Sequence, residues 1–229
     1  MLGRMLHQHP AIRFDGESYR HGLPPGMSMA EAAADGVTIS LEGTLERRMR
    51  TSAAQWFGFD FQPLYLRLGA TDVASHASSL RRAGFTHFVI LRRANLIRRL
   101  ASATRSAESG VYGMRTTDER PSAGPVVIPT HGILGEPTLL QHLDAVERFY
   151  KQVEVVHARD AVLHVEYERH IEGDPRVAFG MVIDFLGLQQ VEPAVPLQRL
   201  NTLPTRDVVQ NYDEVRKVLR GTEHEWMLD

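Results

Sequence analysis

The sequence predicts an α/β fold in which a parallel sheet is flanked by helices. Helix-periodic segments alternate with short β-rich runs along the chain, which is the order expected of parallel strands joined by crossover helices. An apolar run at 87–91 passes directly into an arginine pair and a helix, as at the carboxyl edge of such a sheet. The 229 residues are 43% apolar, enough to bury a full core, so a single domain at 1–229 is expected.

The individual elements follow from caps, breakers and apolar spacing. The first half of the chain predicts a helix at 1–8, a helix at 43–55, a strand at 57–68 limited by Pro63, and a helix at 71–83 ended by Gly84. The second half predicts a helix starting at Glu136 and Pro137, strands at 153–157 and 161–165 or one strand and its approach, a helix after Asp174, and a helix between Asn211 and Gly221.

One of these helices shows which face we expect to be buried. It begins at Asp174, has Pro175 in its first turn and stops at Gly187. Its predicted core stripe consists of Val177, Met181, Val182 and Phe185.

The stretch 87–106 is the most informative part of the chain. A short strand ends in Arg92 and Arg93, Asn95 is a good N-cap, and the helix that follows carries Ser102. Free backbone N–H groups and the helix dipole favour an anion at such a junction. Ser102 lies about two turns, or roughly 10 Å, beyond the cap. An arginine that precedes the helix is therefore placed to close on a phosphate.

A long connection at 110–135 differs from the segments around it. It is rich in Gly, Pro, Thr and charged residues and is longer than an ordinary connection. Such a segment is typical of a mobile lid or acceptor-binding loop, or of a surface insertion without fixed structure. The sequence leaves both interpretations open.

Composition excludes several classes of protein. The 26 Lys and Arg are offset by 28 Asp and Glu, for a net charge of −2, which argues against a dedicated nucleic-acid binder. The chain has no cysteine, so disulfides and thiol chemistry are excluded. No apolar run approaches the roughly 20 residues of a membrane helix. We therefore expect a soluble, cytoplasmic protein without a membrane or nucleic-acid partner, and its oligomeric state stays open.

With these segments in view, the chain resembles the sulfotransferases that use 3'-phosphoadenosine 5'-phosphosulfate, especially their bacterial carbohydrate and small-molecule branch. Besides 87–106, the resemblance rests on LHQHPAIRFDGE at 6–17, VEYERHIEGDPRVAFGMVIDFLGL at 165–188 and NYDEVRKVLRGTEHEWML at 211–228. It implies a three-layer, P-loop-NTPase-like fold. It also implies an enzyme that moves a sulfuryl group from that donor to a hydroxyl of a carbohydrate or small metabolite.

The resemblance assigns the nucleotide-binding residues. In this family an arginine at a strand end and a serine on the next helix hold the 3'-phosphate of the donor. Arg93 and Ser102 match these positions, with Arg92 as the alternative arginine. Arg206, together with Arg199, is the candidate that reaches the nucleotide from the C-terminal loop, although a surface position is the simpler interpretation.

Other residues receive catalytic or structural roles. Glu17 is the candidate base that removes the acceptor's proton, with His7 and His9 as competitors and a surface glutamate as the simpler interpretation. Tyr167 and Glu168 match a Tyr-Glu pair that holds the fold rather than touching substrate. No metal site is predicted.

Two features depart from the family pattern. The Gly/Ser/Thr-rich loop that wraps the donor's 5'-phosphosulfate has no counterpart in these residues, because the chain begins downstream of its natural start or has lost that half of the site. Asp60 stands where a basic residue is common. The alternative function is therefore a non-catalytic, sulfotransferase-like protein that binds a nucleotide or a partner. A nucleotide kinase is disfavoured by the lack of a Walker sequence.

Overall fold

The structure is a computed structural model that describes residues 1–27, 31–32, 35–109, 114–115, 124–133, 135–195, 197–198 and 203–228. These residues form two compact units. Unit one consists of Met1–Leu91, Gln152–Val165 and Arg169–Ala194, and unit two of Arg92–Lys151, Glu166–Glu168 and Val195–Asp229. Helices and strands alternate in a mixed α/β arrangement, which confirms the α/β part of the predicted class, while a parallel sheet flanked by helices in three layers stays a prediction. The single domain stays a prediction.

The helices and strands are numbered along the chain. The helices are α1 (Leu2–Leu6), α2 (Leu41–Arg50), α3 (Leu64–Leu68), α4 (Val73–Arg82), α5 (Leu96–Ser109), α6 (Leu139–Val156), α7 (Tyr167–His170), α8 (Pro175–Phe185), α9 (Thr205–Val208) and α10 (Tyr212–Leu219). The strands are β1 (Ile12–Phe14), β2 (Trp56–Gly58), β3 (His87–Arg92), β4 (Met114–Arg115), β5 (His131–Ile133), β6 (Glu136–Thr138), β7 (Ala161–Glu166) and β8 (Leu197–Gln198). Short 3-10 helices occupy Ser18–Gly22 and Glu225–Leu228.

The strands pair two by two. β1 and β2 are parallel, with Ile12 opposite Trp56 and Phe14 opposite Gly58. β3 pairs with β7, β4 is antiparallel to β8, and β5 is antiparallel to β6. The two strands predicted at 87–91 and 161–165 are thus present, and they are neighbours.

Polar side chains cap three helices of unit one, α2, α4 and α8. The Ser40 hydroxyl accepts the N–H of Gly43 at the start of α2, and the Asp72 carboxylate accepts the N–H of Ser75 at 2.8 Å at the start of α4. Asp174 caps α8 as predicted, accepting the N–H of Arg176 at 3.0 Å. Each cap gives an acceptor to an N–H that has no partner within the helix.

Three predicted segments differ from the structure in type or in boundary. The strand predicted at 57–68 ends at Gly58 in the structure. Pro63 is followed by α3 instead, because proline suits the start of a helix and cannot continue a strand. The start predicted for α6 at Glu136 is instead β6, paired with β5. The run 153–157, predicted as a strand or as the approach to the strand at 161–165, instead belongs to the last turn of α6, which ends at Val156.

The buried face of α8 is rotated from the predicted stripe. Its buried side chains recur at helical spacing, and they are Pro175, Ala178, Phe179, Val182 and Ile183. Val177 is 49% exposed and Phe185 is half-buried. Because both faces of this helix are apolar, only the packing of the folded chain selects one.

Unit two has its own core. α5, α6 and α10 bury apolar side chains together with the C-terminal turn; the buried residues of these elements are Leu96, Ile97, Ala101, Leu139, Leu143, Val215, Leu219, Met227 and Leu228. Val126 and Ile128, from the segment predicted as a loop at 110–135, are fully buried in the same core. Residues 110–113 and 116–123 of that segment lie outside the described residues, so its mobility stays a prediction. None of the helices in the described part is long and apolar enough to cross a membrane.

Candidate anion-binding site

The junction between β3 and α5 has the predicted strand-turn-helix form. Asn95 precedes α5, and its Oδ1 accepts the backbone N–H of Arg98 at 2.9 Å, which confirms the predicted cap. The Nδ2 of the same side chain donates to the carbonyl of Met227 at 2.9 Å. Asn95 is 6% exposed, so this cap also anchors the helix start within unit two.

Arg93 and Ser102 lie side by side at this junction. Nη1 of Arg93 donates to Oγ of Ser102 at 3.5 Å, although they are nine residues apart. The Arg93 guanidinium lies over the ring of Tyr167, with Cζ 4.5 Å from the ring centroid. A guanidinium held against an aromatic face is restricted in orientation, because the ring attracts the cation. Of the two candidate arginines, Arg93 is the one that contacts Ser102.

A carboxylate of the same chain occupies the start of α5. The two oxygens of Glu168 accept the backbone N–H groups of Ala94, at 3.0 Å, and Asn95, at 3.1 Å. Oε1 of Glu168 also lies 3.8 Å from Nε of Arg93. The N–H groups of Ala94 and Asn95, directly before the helix, therefore already have an acceptor, and these contacts explain the structural role predicted for Glu168.

The hydroxyl of Ser102 has two partners. It donates to the carbonyl of Arg98 at 2.9 Å and accepts from Arg93. Since a hydroxyl has one proton, it can donate to a bound anion only after turning away from the Arg98 carbonyl.

The other candidate basic residues are placed differently. Nη2 of Arg92 lies 3.9 Å from the Glu147 carboxylate, and its guanidinium is 5.7 Å from the ring centroid of Tyr150. Arg206 belongs to α9, with its side chain 73% exposed and its Nε 4.0 Å from the Asp207 carboxylate. Arg199 lies outside the described residues.

Glu17, the candidate base, belongs to unit one. Its Oε1 accepts from Nε2 of Gln62, and its Oε2 accepts from the hydroxyl of Tyr65 at 3.4 Å. Burial, reinforced by the Glu17 carboxylate, raises the pKa of Tyr65, so its hydroxyl stays a donor near neutral pH. Two donors thus orient the Glu17 carboxylate from one side. Asp60 is exposed.

The competing histidine at position 9 is committed to the fold. Nδ1 of His9 accepts the N–H of Ala11 at 3.1 Å, and Nε2 is 3.0 Å from the carbonyl of Gln189, to which it must donate. With both ring nitrogens used and 5% of the residue exposed, His9 is structural. His7 accepts the N–H of Phe14 through Nδ1 at 3.4 Å.

An ion pair that the sequence did not reveal lies beside Glu17. The Asp15 carboxylate accepts from Nε of Arg48 at 2.7 Å and from the Ser18 hydroxyl at 2.8 Å. Burial alone would raise the pKa of Asp15, but the hydrogen bonds from Arg48 and Ser18 outweigh it and lower that pKa. Asp15 and Arg48 are 33 residues apart, so no local pattern could have paired them.

Comparisons of the chain with protein-family models, with curated proteins and with solved structures find no match. The chemistry of the site therefore has to be derived from its own residues. At the α5 junction these are a guanidinium, a hydroxyl and a neighbouring carboxylate. Such a set is able to bind an anion with two kinds of donor while the carboxylate limits the net positive charge.

Proposed function

We propose that this chain is a sulfotransferase of the three-layer, P-loop-NTPase-like type that uses 3'-phosphoadenosine 5'-phosphosulfate. The observation that carries the proposal is the contact between Arg93 and Ser102, 3.5 Å apart at the start of α5. This contact supports the arginine–serine pair to which the family resemblance assigns binding of the donor's 3'-phosphate. The acceptor would be a hydroxyl on a carbohydrate or small metabolite.

Arg93 is suited to this role by its surroundings. Its side chain is 18% exposed, so a phosphate bound there is less screened by water than at an open surface. Tyr167 supports one face of the planar guanidinium, and Nη1 of the same group donates to Oγ of Ser102. A phosphate between Arg93 and Ser102 would accept from the guanidinium and from the reoriented hydroxyl.

Glu168 defines where that phosphate does not bind. Its carboxylate already accepts the N–H groups of Ala94 and Asn95, so those two backbone donors do not serve the anion, which we place against the side chains of Arg93 and Ser102. Phosphate binding at the proposed site therefore depends more strongly on the Arg93 side chain than it would at a site built from backbone N–H groups.

Glu17 supplies the base in this proposal. The acceptor O–H transfers its proton to the Glu17 carboxylate as its oxygen attacks sulfur, and the bond between sulfur and the bridging phosphate oxygen breaks. Adenosine 3',5'-bisphosphate leaves with the electron pair of that bond. Gln62 and Tyr65 hold the carboxylate in a fixed orientation for the proton transfer.

Binding is tested by calorimetry with adenosine 3',5'-bisphosphate. Because a hydrogen bond to a charged group contributes about 1.5 to 3 kcal/mol, Arg93→Ala should weaken binding at least about tenfold. Arg92→Ala removes an equal charge from the neighbouring position and should change the affinity much less. Equal affinities of wild type and Arg93→Ala, or no binding by the wild type, would refute the proposed site.

Transfer is tested separately with radiolabelled donor and a panel of sugar and small-molecule acceptors. Because the phosphosulfate loop has no counterpart in these residues, we expect slow transfer by the 229-residue chain and little further loss in its Glu17→Gln variant. In a form extended upstream by a strand and a Gly/Ser/Thr-rich loop, Glu17→Gln should lower the transfer rate about a hundredfold or more, the range for a general base, and leave nucleotide affinity unchanged. A Glu17→Gln rate equal to wild type in that extended form would remove Glu17 from the reaction. Nucleotide binding by the wild type with no transfer to any acceptor would favour the non-catalytic alternative.

A further inference from the structure

A second polar cluster lies in unit two, at the C-terminal turn. Asp144 of α6 and the consecutive residues Glu223 and His224 place a carboxylate oxygen, a second carboxylate oxygen and a ring nitrogen within 4.8 Å of one another. We refer to Asp144, Glu223 and His224 as the C-terminal cluster. Nε2 of His224 is 3.2 Å from Oδ1 of Asp144.

The backbone around His224 is held in place. Its N–H donates to Oγ1 of Thr222 at 3.2 Å, and its carbonyl accepts the N–H of Met227 at 3.0 Å. Glu225 is used within the same turn, because its carboxylate accepts the N–H of Gly221 at 2.8 Å. The turn therefore fixes the backbone that carries the His224 ring before any ligand arrives.

Burial distinguishes His224 from an ordinary surface histidine. The residue is 2% exposed, while Glu223 is exposed and the Asp144 side chain is 46% exposed. The His224 ring is thus buried within unit two, whereas the carboxylates of Asp144 and Glu223 are accessible to solvent.

The spacing of the donor atoms fits a small divalent ion. Zn²⁺ binds nitrogen at about 2.0 to 2.1 Å and carboxylate oxygen at about 2.0 to 2.2 Å, so two ligands at a tetrahedral angle are about 3.3 Å apart. The 3.2 Å between His224 Nε2 and Asp144 Oδ1 is close to this value. Imidazole combined with carboxylate favours Zn²⁺ and similar transition metals over Mg²⁺ and Ca²⁺, which take oxygen ligands.

We propose that the C-terminal cluster binds a divalent transition-metal ion of the Zn²⁺ type through Asp144, Glu223 and His224. Three protein ligands leave a fourth position for water. The ion joins α6 to the C-terminal turn, whose Met227 and Leu228 belong to the unit two core. Its effect is to stabilise that end of the unit, and it is independent of the proposed sulfuryl transfer.

Calorimetric titration of the full, untagged chain with Zn²⁺ tests this site directly. We expect one ion per chain, and no comparable binding of Mg²⁺ or Ca²⁺. Losing even an outer-shell partner of a metal typically costs about 10- to 100-fold in affinity, so losing a ligand should weaken binding at least tenfold. Asp144→Asn and Glu223→Gln are the variants to measure, since both side chains are partly or fully exposed.

A matched control separates this site from the other histidines and carboxylates. Asp213 is exposed on α10, and Asp213→Asn should bind Zn²⁺ as tightly as wild type does. Because a ligand that binds only the folded chain stabilises it, Zn²⁺ should also raise the thermal unfolding midpoint of wild type and Asp213→Asn but not of Glu223→Gln. Unchanged affinity in Glu223→Gln and Asp144→Asn, or no Zn²⁺ binding by the wild type, would show that His224 and Asp144 form only a hydrogen bond.

Discussion

The carboxylate of Glu168 accepts the backbone N–H of Asn95 at 3.1 Å, directly before the first residue of α5. An internal carboxylate thus satisfies the helix start, and Asn95 caps the same turn through its own side chain. Arg93 lies against Glu168 and Ser102 together. This arrangement stabilises the junction in the absence of any ligand.

Glu168→Gln should lower the free energy of unfolding. Both oxygens of Glu168 accept N–H groups, and an amide would set its own NH₂ against one of those donors. We expect a loss of about 1.5 to 3 kcal/mol, the range for hydrogen bonds to charged groups. Urea denaturation measures it, with Glu154→Gln, an exposed carboxylate on α6, as the control that should stay near wild type. A Glu168→Gln midpoint equal to that of the control would contradict the capping role.

Phe179 and Phe185 on α8 form a matched pair for testing which face of the helix is buried. Phe179 is 1% exposed, whereas Phe185 is half-buried and meets the His87 ring at 5.0 Å. Phe179→Ala should cost about 3 to 5 kcal/mol, as full truncation of a buried phenylalanine does, and Phe185→Ala clearly less. The order of the two denaturant midpoints is the measurement. The reverse order would support the stripe that the sequence predicted.

His76 should make the stability of the folded chain fall in mild acid. The residue is 6% exposed, stacks on Phe61 with ring centroids 4.5 Å apart, and has Nε2 3.4 Å from the hydroxyl of Tyr19. Burial, helped by the charge of His157 and opposed by Glu42, lowers its pKa from 6.5 to about 4. The folded chain therefore keeps this ring neutral at pH values where the unfolded chain protonates it.

The direction of this effect follows from the lowered pKa. Well above pH 6.5 neither the folded nor the unfolded chain binds a proton at His76, so this residue does not reduce the free energy of unfolding there. As pH falls from 6.5 to about 4, stability should decrease by up to about 1.4 kcal/mol per pH unit, and below that range the contribution of His76 levels off. Unfolding free energies of wild type, His76→Gln and the exposed control His164→Gln at pH 7.5, 6 and 5 measure it. Parallel profiles for wild type and His76→Gln would show that His76 is not the cause.

Local signals in the sequence were sufficient for elements whose caps and breakers are adjacent in the chain. Asp174 with Pro175 predicted the start of α8, and Asn95 predicted the start of α5, since a cap and the N–H it accepts are at most a few residues apart. Asn211 shows the limit of this reasoning. It precedes α10 as predicted, but its Oδ1 accepts the N–H of Ile128 and its Nδ2 donates to the carbonyl of Ile128, both at 2.9 Å.

The sequence by itself determined the mixed α/β class and the strand-turn-helix at 87–106, because a cap, an apolar run and helical spacing are all local signals. That an arginine before this helix would meet Ser102 was implied by the family resemblance. Only the tertiary structure decided that this arginine is Arg93, that Glu168 occupies the helix start, and that Glu223 and His224 meet Asp144. Except for the contact between Arg93 and Ser102, these contacts join residues that are separated by 73 to 80 positions in the sequence. Contacts at such separations depend on how whole elements pack, which no local pattern of side chains encodes.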